Sequence, residues 1–321
     1  MANKPVLWIP RKLSPNTEAR AARDYEVLLN PEDTLSSSGK IVAMSHHVDA
    51  ILPCHSEIFD ADVVSRMGKR TRIVANHSVG VDHCDLEAFR NRGIVVTNTP
   101  DVLSDATAEI AMLLLIGAAR RAVEGDRLVR NGEWSNWSPS FLVGHQVTGK
   151  RLGIIGLGKV GRVMAERARG FNMEVHYHNR SRLPPDLEQD AIYHADLDSL
   201  LAVSRFLSLH CPATPETAGI LNGETISKLP DGAIVVNTAR GALIDESALL
   251  DAVASGKIAG AGLDCFATEP GGNPAFSAHE KIFMLPHIGS ATFDTRDAMG
   301  FRALDNLDAF FAGREPRDRV A

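Results

Sequence analysis

Apolar residues along this chain fall mostly into short runs, separated by longer stretches where polar and charged positions recur at helical spacing. Val6-Leu7-Trp8-Ile9, Glu26-Val27-Leu28-Leu29, Asp49-Ala50-Ile51-Leu52, Arg72-Ile73-Val74-Ala75 and Ile94-Val95-Val96 read as strands, with helices such as residues 15–25 and 82–91 between them. Such alternation predicts an α/β unit with a parallel sheet. Residues 100–130 read as one long helix, apolar on nearly every face from Ala106 to Ala118 and therefore buried between layers or domains. Ser104 or Asp105 could cap it. Gly117 in mid-run costs about 1 kcal/mol relative to Ala, so it marks a close packing contact. This helix is a candidate bridge between two domains. Beyond it, strands are expected at residues 152–155, 174–178, 205–210, 233–237, 260–264 and 282–285. Helices are expected at 160–168, 224–228 and 246–255, with a closing amphipathic helix over 292–312 that stops at Gly313.

The most informative of these junctions is Gly156-Leu157-Gly158-Lys159-Val160-Gly161. A buried strand precedes it, an amphipathic helix follows, and a second strand, Glu174-Val175-His176-Tyr177-His178, comes next. That context turns an otherwise weak G-x-G-x-x-G into a specific dinucleotide-binding signal. Gly156 suits the tight turn, Gly158 the approach of backbone to a pyrophosphate, and Gly161 close packing of helix on strand. The phosphates would sit at the helix N-terminus, where free N–H groups and the dipole favour anions. An NAD site carries an acidic residue about 20 positions further on, for the ribose hydroxyls. Here the chain reads Asn179-Arg180-Ser181-Arg182. A carboxylate would repel a 2′-phosphate, whereas these four residues would hold one. The bland alternative is a solvated basic turn; the reading adopted is NADP(H), with NAD(H) still possible.

Composition narrows the class. The chain has 321 residues, enough for two domains, with a net charge of −6 that argues against nucleic acid or an anionic membrane as partner. No run reaches the roughly 18 apolar residues of a membrane span. Four scattered cysteines (Cys54, Cys84, Cys211, Cys265) read as free thiols of a reducing compartment. The first residues lead straight into a strand without a signal-peptide core, so the expected location is the cytoplasm. His176 and His178, two apart on a strand, could be metal ligands, but no third ligand is evident and no metal is expected. The loop Asn76–Asp82 follows a strand, and its backbone N–H groups could grip a small carboxylate, although an ordinary turn reads the same way. Residues 131–139 hold two of the three tryptophans, Trp134 and Trp137, in a loop composition. They could be core anchors, an active-site wall or, as the leading reading, a subunit contact.

Four motifs then give the chain a resemblance that runs nearly end to end. They are Gly153–Gly158, Val236-Asn237-Thr238-Ala239-Arg240-Gly241, Gly262-Leu263-Asp264-Cys265-Phe266 with Glu269-Pro270, and Leu285-Pro286-His287-Ile288-Gly289-Ser290-Ala291-Thr292. In this order and spacing they resemble the D-isomer-specific 2-hydroxyacid dehydrogenase family. Ser78-Val79-Gly80-Val81-Asp82-His83, the tryptophan loop and the basic turn look most like its glyoxylate/hydroxypyruvate reductase branch.

The resemblance implies two doubly wound parallel-sheet α/β domains. A flavodoxin-like substrate domain (1–100 with 288–321) and a Rossmann-type coenzyme domain (101–287) would flank an interdomain cleft. It implies catalysis by Arg240, Glu269 and His287, with Ser78, Val79 and Gly80 also binding substrate. For the cofactor it adds Thr107, Lys159, Val160, Cys211, Pro212, Thr217, Thr238, Ala239, Asp264, Gly289 and Ser290 to the residues named above. It implies a homodimer through the coenzyme domain, with Trp137 near the partner's cleft.

The chemistry suits the residue types. An arginine fork can hold a 2-keto acid's carboxylate and polarise its carbonyl. Histidine, the side chain that titrates near neutral pH, can deliver the proton as hydride arrives, held by a glutamate. Read singly, each residue has a bland alternative; twelve histidines are present, and most histidines are packing or surface residues. Within the family, Glu269 argues against formate oxidation, where the resemblance implies Gln. Asn179 argues against an NAD-dependent phosphoglycerate dehydrogenase, which would also carry a regulatory tail. A corepressor-like, NAD(H)-sensing binding protein is the reading from another class. The side chain of the preferred 2-keto acid depends on loops near residues 52–55, Val79 and Trp137.

Overall fold

In a computed structural model describing residues 4–321, the apolar runs become parallel strands. The first five are β1 (Val6–Trp8), β2 (Glu26–Leu28), β3 (Ala50–Ile51), β4 (Ile73–Ala75) and β5 (Val95–Thr97), and they form one sheet in the order β2-β1-β3-β4-β5. This is a doubly wound order. Successive residues face opposite layers. Trp8, Ile51, Val74 and Val96 enter one apolar cluster, whereas Leu7, Ala50, Ile73 and Ala75 enter the other. Each fully buried aliphatic or aromatic side chain contributes roughly 1.5–3 kcal/mol.

The final helix, Phe293–Phe311, returns to this unit, where Gly300 lets it lie directly on Thr17 of helix Pro15–Asp24. A Cβ at Gly300 would come within 2.0 Å of the Thr17 hydroxyl oxygen. Residues up to Leu103 together with Ala291–Ala321 form this unit, and Ser104–Ser290 form a second.

In the second unit, seven strands run parallel: β6 (Arg151–Ile155), β7 (Glu174–His178), β8 (Ile192–His194), β9 (Phe206–Leu209), β10 (Ala233–Asn237), β11 (Ile258–Leu263) and β12 (Ile282–Met284). Their order is β12-β11-β10-β9-β6-β7-β8. From β6 the chain winds outward through β7 and β8, then returns to β9 and winds the other way. The switch point lies between β6 and β9, where ligands of such sheets bind beyond the carboxyl ends. Leu152 and Ile154 pack on one face and Ile155 on the other; Ile234 and Val236 oppose Ala233 and Val235 in the same way. Both faces are therefore buried, which explains the continuous apolar runs.

Three expectations need correction. The stretch 100–130 is two helices, Ser104–Ala119 and Ala122–Arg130, both within the second unit. They break at Arg121, which adopts a left-handed φ of 55° while its guanidinium forks onto Glu124. The helix expected at 82–91 starts later, at Leu86, where the Asp85 carboxylate accepts from the Ala88 N–H. Strand β8 was not expected; three half-exposed residues on a sheet edge leave almost no periodic signal.

Gly117 does mark close packing, since a Cβ there would lie 2.4 Å from the Phe283 ring. Gly262 gives the same helix room against β11, where a Cβ would lie 2.6 Å from Leu114 Cβ. No helix among the described residues is long and apolar enough to cross a membrane.

Candidate active site

Because the strands of the second unit are parallel and the fingerprint turn, the basic turn and three further loops each follow a strand, all of them leave the sheet at one edge. The fingerprint loop follows β6, with Gly156 at a φ of 95° that favours glycine. A Cβ on Gly156 would lie 2.5 Å from the Cys211 backbone nitrogen, and one on Gly161 would lie 2.3 Å from the Gly156 carbonyl oxygen. Gly158 faces open space and caps helix Lys159–Arg169 with no side-chain hydrogen bond. A helix start without a side-chain cap, with open space at Gly158, suits an anionic group. Cys211 and Pro212 leave β9 beside this loop, and Thr217 Oγ1 donates to the Pro212 carbonyl at 2.7 Å.

The basic turn follows β7 and is more ordered than its composition suggests. Asn179 Oδ1 accepts from the Leu157 N–H at 2.7 Å, which ties the turn to the glycine loop and leaves the amide NH₂ to donate. Arg180 and Ser181 are exposed. Arg182 is held along one edge. Its Nε and Nη2 fork onto the buried carboxylate of Glu188, at 3.1 Å to Oε1 and 2.9 Å to Oε2. The fork holds the Glu188 carboxyl below its ordinary range. The two histidines of β7 are likewise committed: His176 Nδ1 lies 3.0 Å from His194 Nε2, and His178 Nδ1 lies 2.9 Å from the His194 carbonyl oxygen.

The three residues singled out for chemistry leave adjacent strands. Arg240 follows β10, Glu269 follows β11 and His287 follows β12. Asn237, fully buried at the end of β10, closes the first loop: its Oδ1 accepts from Ala239 N–H at 2.9 Å and its Nδ2 donates to the Arg240 carbonyl at 2.8 Å. The Arg240 guanidinium also donates to the Ala239 carbonyl. Gly241 then passes so close to the second loop that a Cβ would lie 1.9 Å from the Phe266 carbonyl carbon. The second loop is held by Glu246, which accepts from the Ala267 N–H, and by Glu269 itself, whose Oε1 accepts from the Phe266 N–H at 2.8 Å. Glu269 Oε2 lies 2.5 Å from His287 Nδ1. A carboxylate only accepts, so Nδ1 carries the proton of this hydrogen bond.

His287 sits at a φ of 53°, an uncommon conformation for a residue with a side chain. Asp264, almost fully buried, stabilises that turn by accepting from the Ile288 N–H at 2.8 Å and the Gly289 N–H at 2.7 Å. Burial raises the Asp264 pKa from its ordinary value, and the two N–H groups oppose that rise. Gly289 also lies beside Thr107, whose hydroxyl is 3.4 Å from where a Cβ would stand. Thr238 Oγ1 is buried without a hydrogen-bond partner among the described residues. Ser290 is half-buried. The four cysteines are free; burial pushes Cys54 and Cys84 up to about 12 and Cys211 up to about 11, so these are not thiolates near neutral pH.

The supports are residues given no role in the sequence analysis: Asn237, Glu246, Glu188 and Tyr177. Only Asn237 had a legible signal, as an Asn at a strand end before Arg-Gly, where its side chain can hydrogen-bond the backbone of a turn.

In the first unit, loop Asn76–Asp82 is ordered by side chains that bind its carbonyls. Ser78 Oγ donates to the Gly80 carbonyl at 2.7 Å, and Asn98 Nδ2 donates to that of Val79 at 2.8 Å. The N–H groups of Val79 and Gly80 donate no hydrogen bond among the described residues.

Comparison with known proteins accords with this geometry. Residues 112–289 match the D-isomer specific 2-hydroxyacid dehydrogenase, NAD binding domain. The chain is 41% identical to a glycerate dehydrogenase of Hyphomicrobium methylovorum over 317 residues, 98% of each chain. It is 38% identical to a glyoxylate reductase of Thermococcus litoralis over 321 residues, covering 99% of this chain and 97% of that one. Among solved structures it superposes with a TM-score of 0.87 on an NADPH-dependent glyoxylate/hydroxypyruvate reductase of Sinorhizobium meliloti in complex with NADP and malonate. That protein is 30% identical, with 99% of this chain and 97% of that one covered.

The contact of Gly241 with the Phe266 backbone makes a specific demand. Gly241→Ala is expected to lower the melting temperature and cut turnover at least tenfold, because loop Cys265–Glu269 must shift to admit the methyl group. Thermal unfolding with steady-state assays checks this; wild-type turnover would mean that the loops move independently.

Proposed function

The chain belongs to the D-isomer specific 2-hydroxyacid dehydrogenase family, and from that premise we propose that it reduces small 2-keto acids, of the glyoxylate and hydroxypyruvate kind, to D-2-hydroxy acids, with NADPH preferred over NADH. The observation that carries this reading is the Glu269–His287 pair at 2.5 Å, tied through Phe266 to the loop of Arg240. Relatives named glyoxylate reductase and glycerate dehydrogenase support the substrate class.

The second unit serves as the coenzyme domain. Its uncapped helix start, the open space at Gly158 and the unpartnered Thr238 hydroxyl suit a dinucleotide. Bound there, the nicotinamide would supply the hydride. The residues of the chain do the rest. The Arg240 guanidinium holds the substrate carboxylate and polarises the carbonyl through parallel, charge-assisted hydrogen bonds. In the first unit, the N–H groups of Val79 and Gly80, which donate no hydrogen bond among the described residues, suit a carboxylate oxygen. His287 delivers the proton from Nε2 to the carbonyl oxygen as negative charge grows there. Glu269 holds the imidazole by Nδ1 and so aims Nε2. Hydride on carbon and proton on oxygen complete the 2-hydroxy acid.

The preference for NADPH rests on Asn179, Arg180, Ser181 and Arg182, where a carboxylate for the ribose hydroxyls would otherwise stand. Self-association as a homodimer rests on the second unit's run of exposed apolar side chains, Val129, Trp134, Trp137, Phe141 and Val143. Trp137 is 75% exposed, too large an apolar surface to leave in water without reason.

Two outcomes are expected. In assays of glyoxylate and hydroxypyruvate with both cofactors, NADPH should exceed NADH in kcat/KM by more than tenfold, and Arg180→Ala should raise KM for NADPH alone; equal use of the two cofactors would overturn the preference. By size-exclusion chromatography with light scattering, the protein should run as two copies, and Trp137→Ser should weaken that association. A monomeric wild type would overturn the dimer.

A further inference from the structure

We infer that Glu188 is a positioning residue for cofactor choice: it fixes Arg182 so that one edge of the guanidinium is held and the other is presented at the basic turn. The inference rests on the NADPH reading and goes beyond it, because Glu188 lies outside the fingerprint and the basic turn alike.

Glu188 closes the short helix Pro185–Glu188, and only 4% of its surface is exposed. A buried carboxylate is costly unless its oxygens are satisfied. Here Oε1 accepts from the Tyr177 hydroxyl at 2.9 Å and from Arg182 Nε at 3.1 Å, while Oε2 accepts from Arg182 Nη2 at 2.9 Å. Tyr177 is a fully buried residue of β7, so the carboxylate is anchored to the sheet. The same hydroxyl accepts from the Leu183 N–H at 3.0 Å. One phenol oxygen therefore fixes both the end of the basic turn and the acid that grips its second arginine.

The fork uses only the Nε–Nη2 edge of Arg182. Its side chain stays 65% exposed, and Nη1 makes no hydrogen bond among the described residues. The Nη1–Nη2 edge is thus free to donate to an anion. The same turn carries the Asn179 amide NH₂, the Arg180 guanidinium and the Ser181 hydroxyl, donor types suited to a phosphate monoester.

Two effects of Glu188 oppose each other. Its charge partly neutralises Arg182 and repels a phosphate, but a phosphate would lie on the far edge of Arg182, whose side chain is mostly in screening solvent. Its hydrogen bonds remove rotamer freedom that a free arginine would lose on binding, and they act at contact distance regardless of salt. The second effect wins, so removing the carboxylate should weaken the hold on a 2′-phosphate.

The test compares Glu188→Gln with wild type by calorimetry, using 2′,5′-ADP and 5′-AMP as probes, together with KM for NADPH and NADH. Glu188→Gln should weaken 2′,5′-ADP at least fivefold and raise KM for NADPH similarly, with 5′-AMP, KM for NADH and kcat within twofold. Tyr177→Phe, which keeps the ring and removes the hydroxyl, should act in the same direction and serves if the first variant unfolds. Unchanged or tighter 2′,5′-ADP binding would overturn the inference, as would equal weakening of both probes. A wild type that prefers NADH would overturn the reading beneath it, and is recognised before any variant is made.

Discussion

The Glu269 carboxylate has two oxygens, and the candidate site depends on how they are shared. One accepts from the Phe266 N–H within its own loop, and the other accepts from His287 on the next. The first bond fixes the carboxylate, so the second fixes the imidazole and its tautomer. Gly241 presses the arginine loop against the same Phe266 backbone. Three side chains from three strands are therefore referenced to one short stretch of main chain. Placement of this kind lets a fixed charge act where charge develops, without reorganisation at the moment of reaction.

Local cost accompanies that placement. His287 adopts a left-handed φ, which disfavours any residue with a Cβ, typically by 1 kcal/mol or more. The two N–H groups that follow it both donate to the buried Asp264, and charge-assisted bonds of that kind offset the strain. Asp264 was expected as a cofactor residue from its motif; its oxygens are already engaged with the turn that carries His287. At the basic turn it is Glu188 that supports: it holds one edge of Arg182, while Arg180 and Ser181 face solvent.

Much of the fold was legible because both sheets are buried on two faces, which writes each strand as an apolar run bounded by turn residues. Strand β8 and the break at Arg121 were not legible: one is a half-exposed edge, and the other is marked by no Gly or Pro, only by a left-handed Arg121 paired three residues on with Glu124. At the site, Arg240, Glu269 and His287 could be named because each lies in a motif. The Glu188 clamp on Arg182 could not, since a glutamate six residues beyond an arginine in a polar, proline-containing stretch looks like any solvated charge until the backbone turns back on Tyr177.

Proton delivery by His287, held by Glu269, is tested by kcat and KM for 2-keto acid reduction in wild type, His287→Ala and Glu269→Gln. Loss of the imidazole should cut kcat by about 10²–10⁴ and leave substrate KM within a few fold, because the proton has no donor. Loss of the carboxylate, which leaves the imidazole in place but unheld, should lower kcat less than loss of the imidazole itself. Near-normal turnover in His287→Ala would show that the proton comes from elsewhere.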